Sequence, residues 1–198
     1  MKITNIKTQV KHQDRVSIFV DDEYSFSLSM DQLLQFKLKK GLGLDEGQLK
    51  ELVKASEEGK IRSKALEWLM MRPHSTREFK DYGYRKKIEP DLVERMIAEF
   101  TRKNYIDDYG FARWFAQSRI KKNKSKRHVV SELASKGIDR QIAHEVVEEL
   151  GDDDESLKLL IEKLRTRSRY KEEKKLIAYL IGRGFSYSEV KSALSSDS

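Results

Sequence analysis

Apolar residues recur at helical spacing along most of this 198-residue chain. In the N-terminal part the pattern differs, because residues 16–20 and 24–28 are rich in β-branched and aromatic side chains and residues 3–6 begin a similar run. Polar clusters at 12–14 and 21–23 separate these runs as turns. The pattern predicts a mostly α-helical protein that begins with a small β-hairpin or meander of three strands. So thin a sheet needs a helix to cover it.

Capping residues mark where several helices begin. A serine followed three positions later by Gln or Glu forms a capping box, which satisfies free N–H groups at a helix start. Such pairs occur at Ser29, Ser75 and Ser186, and Asp45 is a further N-cap. Pro90 fits the first turn of another helix. These signals place helices in close succession over the rest of the chain.

From about residue 61 the helices repeat in groups of three. Gly83, Gly137 and Gly184 each end the second helix of a group, 54 and 47 residues apart. Acidic residues at 107–108 and 152–155 precede the first helix of the second and third groups, where carboxylates cap free N–H groups. One group buries little apolar surface alone, so we expect neighbouring groups to share surface.

The predicted organisation has four parts and an elongated, curved shape. An N-terminal region of strands and helices occupies residues 1–60. Three tandem three-helix repeats follow at residues 61–108, 109–154 and 155–198.

Composition narrows the classes of function. Lys and Arg number 40 against 33 Asp and Glu, which gives a formal charge of +7 and a pI of about 9.3. This balance favours a polyanionic partner such as nucleic acid, anionic lipid or an acidic protein surface, although charge can also serve solubility alone. The absence of cysteine excludes disulfides and thiolate sites. No apolar run suits a membrane span or a signal peptide, so we expect a cytoplasmic protein.

No arrangement of residues indicates catalysis. The four histidines lack the spacing of a metal site. Asp107 and Asp108 could hold a divalent cation, but they are interpreted as helix caps. Trp68 and Trp114 lie in corresponding first helices and are interpreted as core anchors, not as stacking platforms for bases. We therefore expect no enzyme activity, no metal and no cofactor.

Two clusters of basic residues are the candidate binding residues. Both fall between the first and second helices of a repeat. At the corresponding position the first repeat has Arg72-Pro73-His74. The first basic run consists of Lys121, Lys122, Lys124, Lys126 and Arg127. The second basic run consists of Arg165, Arg167, Arg169, Lys171, Lys174 and Lys175. Repeats stacked in an arc would place both runs along one side, on a phosphate path; otherwise they are solvated loops. No aromatic residue accompanies the runs at a fixed position, so contact would be salt-sensitive and non-specific.

Several short motifs are characteristic in combination. They are Arg72-Pro73-His74-Ser75 with Glu78-Phe79, Tyr105-Ile106-Asp107-Asp108 with Phe111-Ala112, Arg119, and Glu132-Leu133-Ala134-Ser135-Lys136-Gly137-Ile138. Together they resemble the RecX family, regulatory proteins of the RecA recombinase, from about residue 60 to the end. The β-rich N-terminal region is similar to that of Gram-positive members. The chain departs from the family pattern at Ser125-Lys126, where Gly-Pro is frequent, and at Phe79, where leucine is usual.

The resemblance implies tandem three-helix repeats and a non-enzymatic regulator. Such a protein binds, as a monomer, in the groove of the RecA–DNA filament. It modulates recombination, ATPase and co-protease activities in DNA repair and the SOS response, with inhibition as the expected sign. Contact with single- or double-stranded DNA is expected to be weak and non-specific. The alternative is a general nucleic-acid-binding helical repeat without a recombinase partner, and a structural scaffold is a third reading.

Overall fold

The computed structural model describes residues 1–10, 13–151 and 153–195. His12, in the first predicted turn, and Asp152, in the second acidic cluster, lie outside the described residues. The chain forms two compact units, one from Met1 to Met71 and the other from Arg72 to the C-terminus.

The first unit contains the predicted sheet. Strands β1 (Ile3–Thr8), β2 (Arg15–Val20) and β3 (Glu23–Ser29) pair antiparallel in the order β1-β2-β3, which confirms the meander. Helices α1 (Met30–Gln35) and α2 (Glu46–Leu69) pack against this sheet. The core between them is apolar and consists of Ile3, Val16, Ile18, Val20, Phe26, Leu28, Leu44 and Leu52.

Helix α2 continues without a break through Gly59. Gly59 leaves room for the side chain of Gln32, because a Cβ at position 59 would lie 2.8 Å from Oε1 of Gln32. The same Gln32 side chain donates to the Ala55 carbonyl at 2.9 Å and so ties α1 to α2. The domain boundary predicted after residue 60 falls inside this helix, and the compact units divide at 71/72.

The second unit is helical throughout its described part. Its helices are α3 (Thr76–Arg85), α4 (Pro90–Arg102), α5 (Asp108–Ile120), α6 (Lys126–Ser135), α7 (Arg140–Glu148), α8 (Asp153–Arg165), α9 (Glu173–Gly182) and α10 (Tyr187–Ser195). Helices α5–α7 enclose one apolar core, drawn from residues 111–147, and α8–α10 enclose another, drawn from residues 157–194. Each of these two triplets therefore has a core of its own.

The predicted capping residues are present. Ser29 and Gln32 form a complete capping box at α1, and Asp45 begins another at α2. At α10 the Ser186 N–H donates to the Glu189 carboxylate at 2.5 Å, and Ser186 Oγ accepts the Glu189 N–H at 3.2 Å. These reciprocal bonds satisfy donors that the first helical turn leaves unpaired.

Helix α3 ends at Arg85, two residues after Gly83, so its end lies near Gly83 as predicted, but the glycine does not itself terminate the helix. Gly83 lies inside the helix and is buried, and a Cβ there would lie 2.6 Å from Cγ2 of Val93. The residue with left-handed backbone after this helix is Lys87, with φ of 54°. Gly137 and Gly184 take the corresponding positions after α6 and α9, with φ of 79° and 101°. The helix ends therefore recur at intervals of 50 and 47 residues, more regularly than the glycines alone indicated.

A recurring contact joins the second helices of successive triplets end to end. The N-cap Ser75 of α3 donates its hydroxyl to the carbonyl of Lys136, the C-cap of α6, at 2.9 Å. The N-cap Ser125 of α6 donates its N–H to the carbonyl of Arg183, the C-cap of α9, at 3.0 Å. At both junctions a positive helix N-terminus faces a negative helix C-terminus, which is the favourable arrangement of helix dipoles.

Both junctions require glycine at the helix end. A Cβ on Gly137 would lie 2.7 Å from Cβ of Arg77, in the first turn of α3. A Cβ on Gly184 would lie 2.5 Å from Cβ of His128 and 2.6 Å from Oγ of Ser125, both at the start of α6. Glycine is thus needed twice over at each junction, for its positive φ and for the close approach.

Carboxylates from the following triplet complete both junctions. Asp108, at the start of α5, accepts the N–H of Thr76 at 2.7 Å, and Asp153, at the start of α8, accepts the N–H of Lys126 at 2.9 Å. Asp107 accepts the N–H of Tyr109 and caps α5 itself. The interpretation of the 107–108 pair as helix caps is confirmed, although Asp108 caps the helix of the preceding group and not its own.

Glu78 is the charged centre of the first junction. Its carboxylate accepts bonds from Arg72 at 2.8 Å and from Lys136 at 3.0 Å, and lies 3.2 Å from Nδ1 of His74. Burial by itself would raise the pKa of Glu78, but the bonds from Arg72 and Lys136 outweigh it and lower the pKa. The stabilisation from the ionised form is therefore complete above the unfolded-state pKa and is lost as pH falls through the folded-state pKa.

Replacing Gly137 tests the first junction. We expect Gly137→Ala to lower the free energy of unfolding by about 2 kcal/mol or more, because alanine resists left-handed backbone and its Cβ must displace Arg77. Urea unfolding followed by circular dichroism measures this. Gly182→Ala is the matched control, since Gly182 is helical with open space around it, and alanine should there be neutral or stabilising by up to about 1 kcal/mol. Equal effects of the two changes would contradict the junction geometry.

The ion cluster around Glu78 predicts a pH dependence. Glu78→Gln should be less stable than the unmodified protein at pH 6, and the difference should narrow towards pH 3, as Glu78 itself becomes neutral. Urea unfolding at several pH values measures the difference. Glu94→Gln removes an exposed carboxylate that pairs with Lys80 and should cost little at any pH. A Glu78→Gln difference that stays constant with pH would refute the ionic role of this side chain.

Candidate nucleic-acid interface

The first basic run begins in a tight connector between α5 and α6 and ends in the first turn of α6, which contains Lys126 and Arg127. Backbone bonds fix its path, because Lys122 N–H and Lys124 N–H both donate to the Arg119 carbonyl, at 3.0 and 3.2 Å. Asn123 makes the turn with a φ of 58°. Lys121 and Lys122 are exposed at this turn. The connector therefore presents two adjacent ammonium groups from a fixed backbone.

The other three members of the first basic run have contacts within the protein. Lys124 Nζ lies 3.0 Å from Nε2 of His128. Lys126 Nζ lies 3.3 Å from Glu148, and only 16% of its side chain is exposed. Arg127 donates to the Gly184 carbonyl at 2.7 Å, at the junction between α6 and α9. Of these three side chains, Arg127 spans the second junction, whereas Lys124 and Lys126 contact α6 and α7.

An ion cluster binds α5 to α6 beneath the connector. The Arg119 Nε donates to one oxygen of Glu132, and His128 Nε2 lies 3.0 Å from the other oxygen. The Arg119 guanidinium also lies 4.3 Å from the centre of the Phe115 ring. Burial favours a raised pKa for Glu132, yet the bonds from Arg119 and His128 outweigh it and lower the pKa. The cluster therefore keeps an ionised carboxylate under the basic run and fixes the start of α6.

The second basic run extends from the end of α8 through a short 3-10 turn (Ser168–Tyr170) into the first turn of α9. All six of its members are exposed: Arg165, Arg167, Arg169, Lys171, Lys174 and Lys175. Lys175 pairs with Glu172 at 2.7 Å, and the Arg169 guanidinium lies 5.9 Å from the Tyr170 ring. This run presents more exposed charge than the first.

The two runs lie at opposite ends of α9. The first basic run reaches the C-terminal end through the contact between Ser125 and Arg183, and the second leads directly into the N-terminal end. Ten residues of helix separate these ends, about 15 Å at the usual rise. In the first repeat the corresponding residues are engaged internally, since Arg72 pairs with Glu78 and His74 is only 4% exposed. That both runs follow one phosphate path stays a prediction.

Trp114 is not the core anchor that the sequence predicted. Its side chain is 38% exposed, and the guanidinium of Arg72 lies 5.5 Å from the ring centre. The buried face of α5 consists of Phe111, Ala112, Phe115 and Ala116, and position 114 falls outside it. The spacing of these apolar residues could have shown this. Trp68, at the corresponding position in α2, is half-buried.

The part of the chain that the structure describes offers no site for a metal and no membrane helix. Among residues 1–10, 13–151 and 153–195, no three His, Asp or Glu side chains are grouped to hold a metal ion. No helix in the same residues combines the length and the apolar character that crossing a bilayer requires.

Comparison with family models matches three parts of the chain. Residues 1–45 match the regulatory protein RecX N-terminal domain, residues 107–147 match the second three-helix domain of RecX, and residues 152–194 match the third. The last two ranges correspond to the triplets α5–α7 and α8–α10.

Relatives and solved structures agree with the family models. A regulatory protein RecX of Listeria welshimeri is 33% identical, and the match covers 98% of this chain and 74% of the relative. A regulatory protein RecX of Bacillus subtilis is 31% identical, and the match covers 97% of this chain and 75% of the relative. A crystal structure of regulatory protein RecX superposes with a TM-score of 0.77 at 25% identity, over 96% of this chain and 98% of that one. The crystal structure of RecX from Lactobacillus salivarius shares the fold, with a TM-score of 0.61 at 23% identity. The match covers 72% of this chain and 97% of that one. The resemblance inferred from the sequence is thereby confirmed, and the chain belongs to the RecX family of regulatory proteins.

Proposed function

We propose that this chain binds the filament that the RecA recombinase forms on DNA and lowers its ATPase, recombination and co-protease activities without catalysing a reaction itself. RecA is the target that membership of the RecX family implies. The first and second basic runs are the proposed contact surface. The proposal includes weak, non-specific contact with single- or double-stranded DNA.

The observation that carries the proposal is the position of the two basic runs. Each run extends from the connector before the second helix of its triplet into the first turn of that helix, and the two are separated by the length of α9. A filament of protein on DNA is a regular polymer with repeated charges. Cationic connectors that recur at one helix length are suited to such a target, because several contacts can form at once.

The contacts within the protein determine which of these cations can be replaced to test the proposed surface. Reversing Arg127 would also disturb the second junction, and reversing Lys126 would break its pairing with Glu148 of α7. Lys121 and Lys122 are exposed and precede Ser125, the N-cap of α6. They can therefore be changed with little structural cost. The double variant Lys121→Glu/Lys122→Glu therefore isolates the binding role of the first basic run.

We expect this double variant to need roughly tenfold more protein to inhibit DNA-dependent ATP hydrolysis by RecA, because each lost phosphate contact weakens binding. The salt dependence of its binding to the filament should also become shallower, with a log–log slope smaller by about two. The measurements are ATP hydrolysis and strand exchange across a salt series. Circular dichroism should show an unchanged helical signal.

Lys39→Glu/Lys40→Glu is the matched control, because it reverses two adjacent exposed lysines outside the proposed surface. It should inhibit RecA as the unmodified protein does. Full activity of the Lys121→Glu/Lys122→Glu variant would remove the first basic run from the contact surface. Tight binding of naked DNA by the unmodified protein, with no effect on RecA, would favour the general nucleic-acid-binding alternative.

A further inference from the structure

One side of α5 carries an exposed aromatic ring next to the first basic run. Trp114, Gln117 and Lys121 are separated by three and four positions and therefore share a helix face. All three are exposed. Trp114 lies two helical turns before Lys121, about 10 Å along the axis. The indole is thus part of the same surface as the proposed phosphate contacts.

The Arg72 side chain is fixed over the indole. Its guanidinium lies 5.5 Å from the ring centre of Trp114. Two bonds hold it there, to the Glu78 carboxylate at 2.8 Å and to the Pro73 carbonyl at 2.7 Å. The planar groups of arginine and tryptophan are both surfaces on which nucleic acid bases stack. Because Arg72 is already positioned, little side-chain entropy is lost when a base binds beside it.

The charge around Trp114 matches a polyanion. From Tyr109 to Ser131 the chain contains seven Lys or Arg residues and no Asp or Glu. The neighbouring carboxylates have partners, since Glu149 accepts a bond from Tyr109 at 2.6 Å and lies 3.8 Å from Arg113. Acidic side chains would also be attracted to these cations, but a carboxylate offers no aromatic face to stack on the exposed indole. A single nucleic acid strand offers both phosphates and bases.

We infer that Trp114 and the Arg72 guanidinium over its ring together form a stacking platform for an unpaired base of single-stranded DNA whose phosphates contact Lys121 and Lys122. This inference rests on the proposed polyanion contact at the first basic run. A duplex would bind less well at this site, because its bases are stacked on each other and cannot reach the indole. Stacking is tolerant of sequence, since every base has a flat aromatic face.

The test uses two 15-nucleotide probes, oligo-dT and an abasic strand of the same length and charge, without recombinase. Trp68→Phe leaves Trp114 as the one tryptophan of the chain, whose two tryptophans are Trp68 and Trp114. In this background oligo-dT should quench the emission of Trp114, whereas the abasic strand should bind with little quenching. Trp114→Ala should weaken oligo-dT binding at least about fivefold. It should leave the abasic affinity unchanged, and Trp114→Phe should restore most of the loss.

Tyr84→Ala is the matched control, because it removes an aromatic side chain that is 86% exposed on α3. It should leave the affinity for both probes unchanged. Equal weakening of both probes by Trp114→Ala, no weakening of either, or no detectable oligo-dT binding by the unmodified protein would overturn the inference. Loss of binding to RecA in the absence of DNA, with unchanged oligo-dT affinity, would assign Trp114 to a protein contact instead. Failure to inhibit RecA would refute the proposed function while leaving the oligo-dT result interpretable.

Discussion

The contact between the N-terminus of one second helix and the C-terminus of the next determines the arrangement of the helical unit. Each helix end leaves backbone donors or acceptors without partners inside the helix. At the two junctions these groups satisfy one another, through Ser75 and the Lys136 carbonyl and through Ser125 and the Arg183 carbonyl. Each triplet in α5–α10 has its own apolar core, so this polar contact supplies the register between α6 and its neighbours α3 and α9. Register, and not extra apolar burial, is what places the first basic run next to the end of α9.

The N-terminus of α9 is built differently from those of α3 and α6. Its N-cap is Glu172, which makes no side-chain capping bond, and a 3-10 turn precedes it. This explains the contrast between the runs: the first is partly used in a junction, whereas the members of the second are all exposed.

Local signals in the sequence predicted the elements well, and tertiary packing accounts for what they missed. The strands, the capping boxes and the left-handed glycines depend on neighbouring residues and could be derived from them. Gly83 has the same local pattern as Gly137 and Gly184, yet it serves the close approach of Val93 from another helix. The hydrogen bond from the Thr76 N–H to the Asp108 carboxylate likewise joins two different groups of helices. At the candidate site, the sequence identified the cations but not which of them have internal partners.

Counting charges in a sequence overestimates the charge that a connector offers to a ligand. In the first basic run Lys126 faces Glu148 and Arg127 donates to a carbonyl, so Lys121 and Lys122 carry most of its exposed charge from a fixed turn. The members of the second basic run are all exposed. Exposed cations raise the rate of encounter with a polyanion, whereas cations held on a fixed turn define position. If both runs contact one filament, the second therefore contributes chiefly to attraction and the first, next to Trp114, to register.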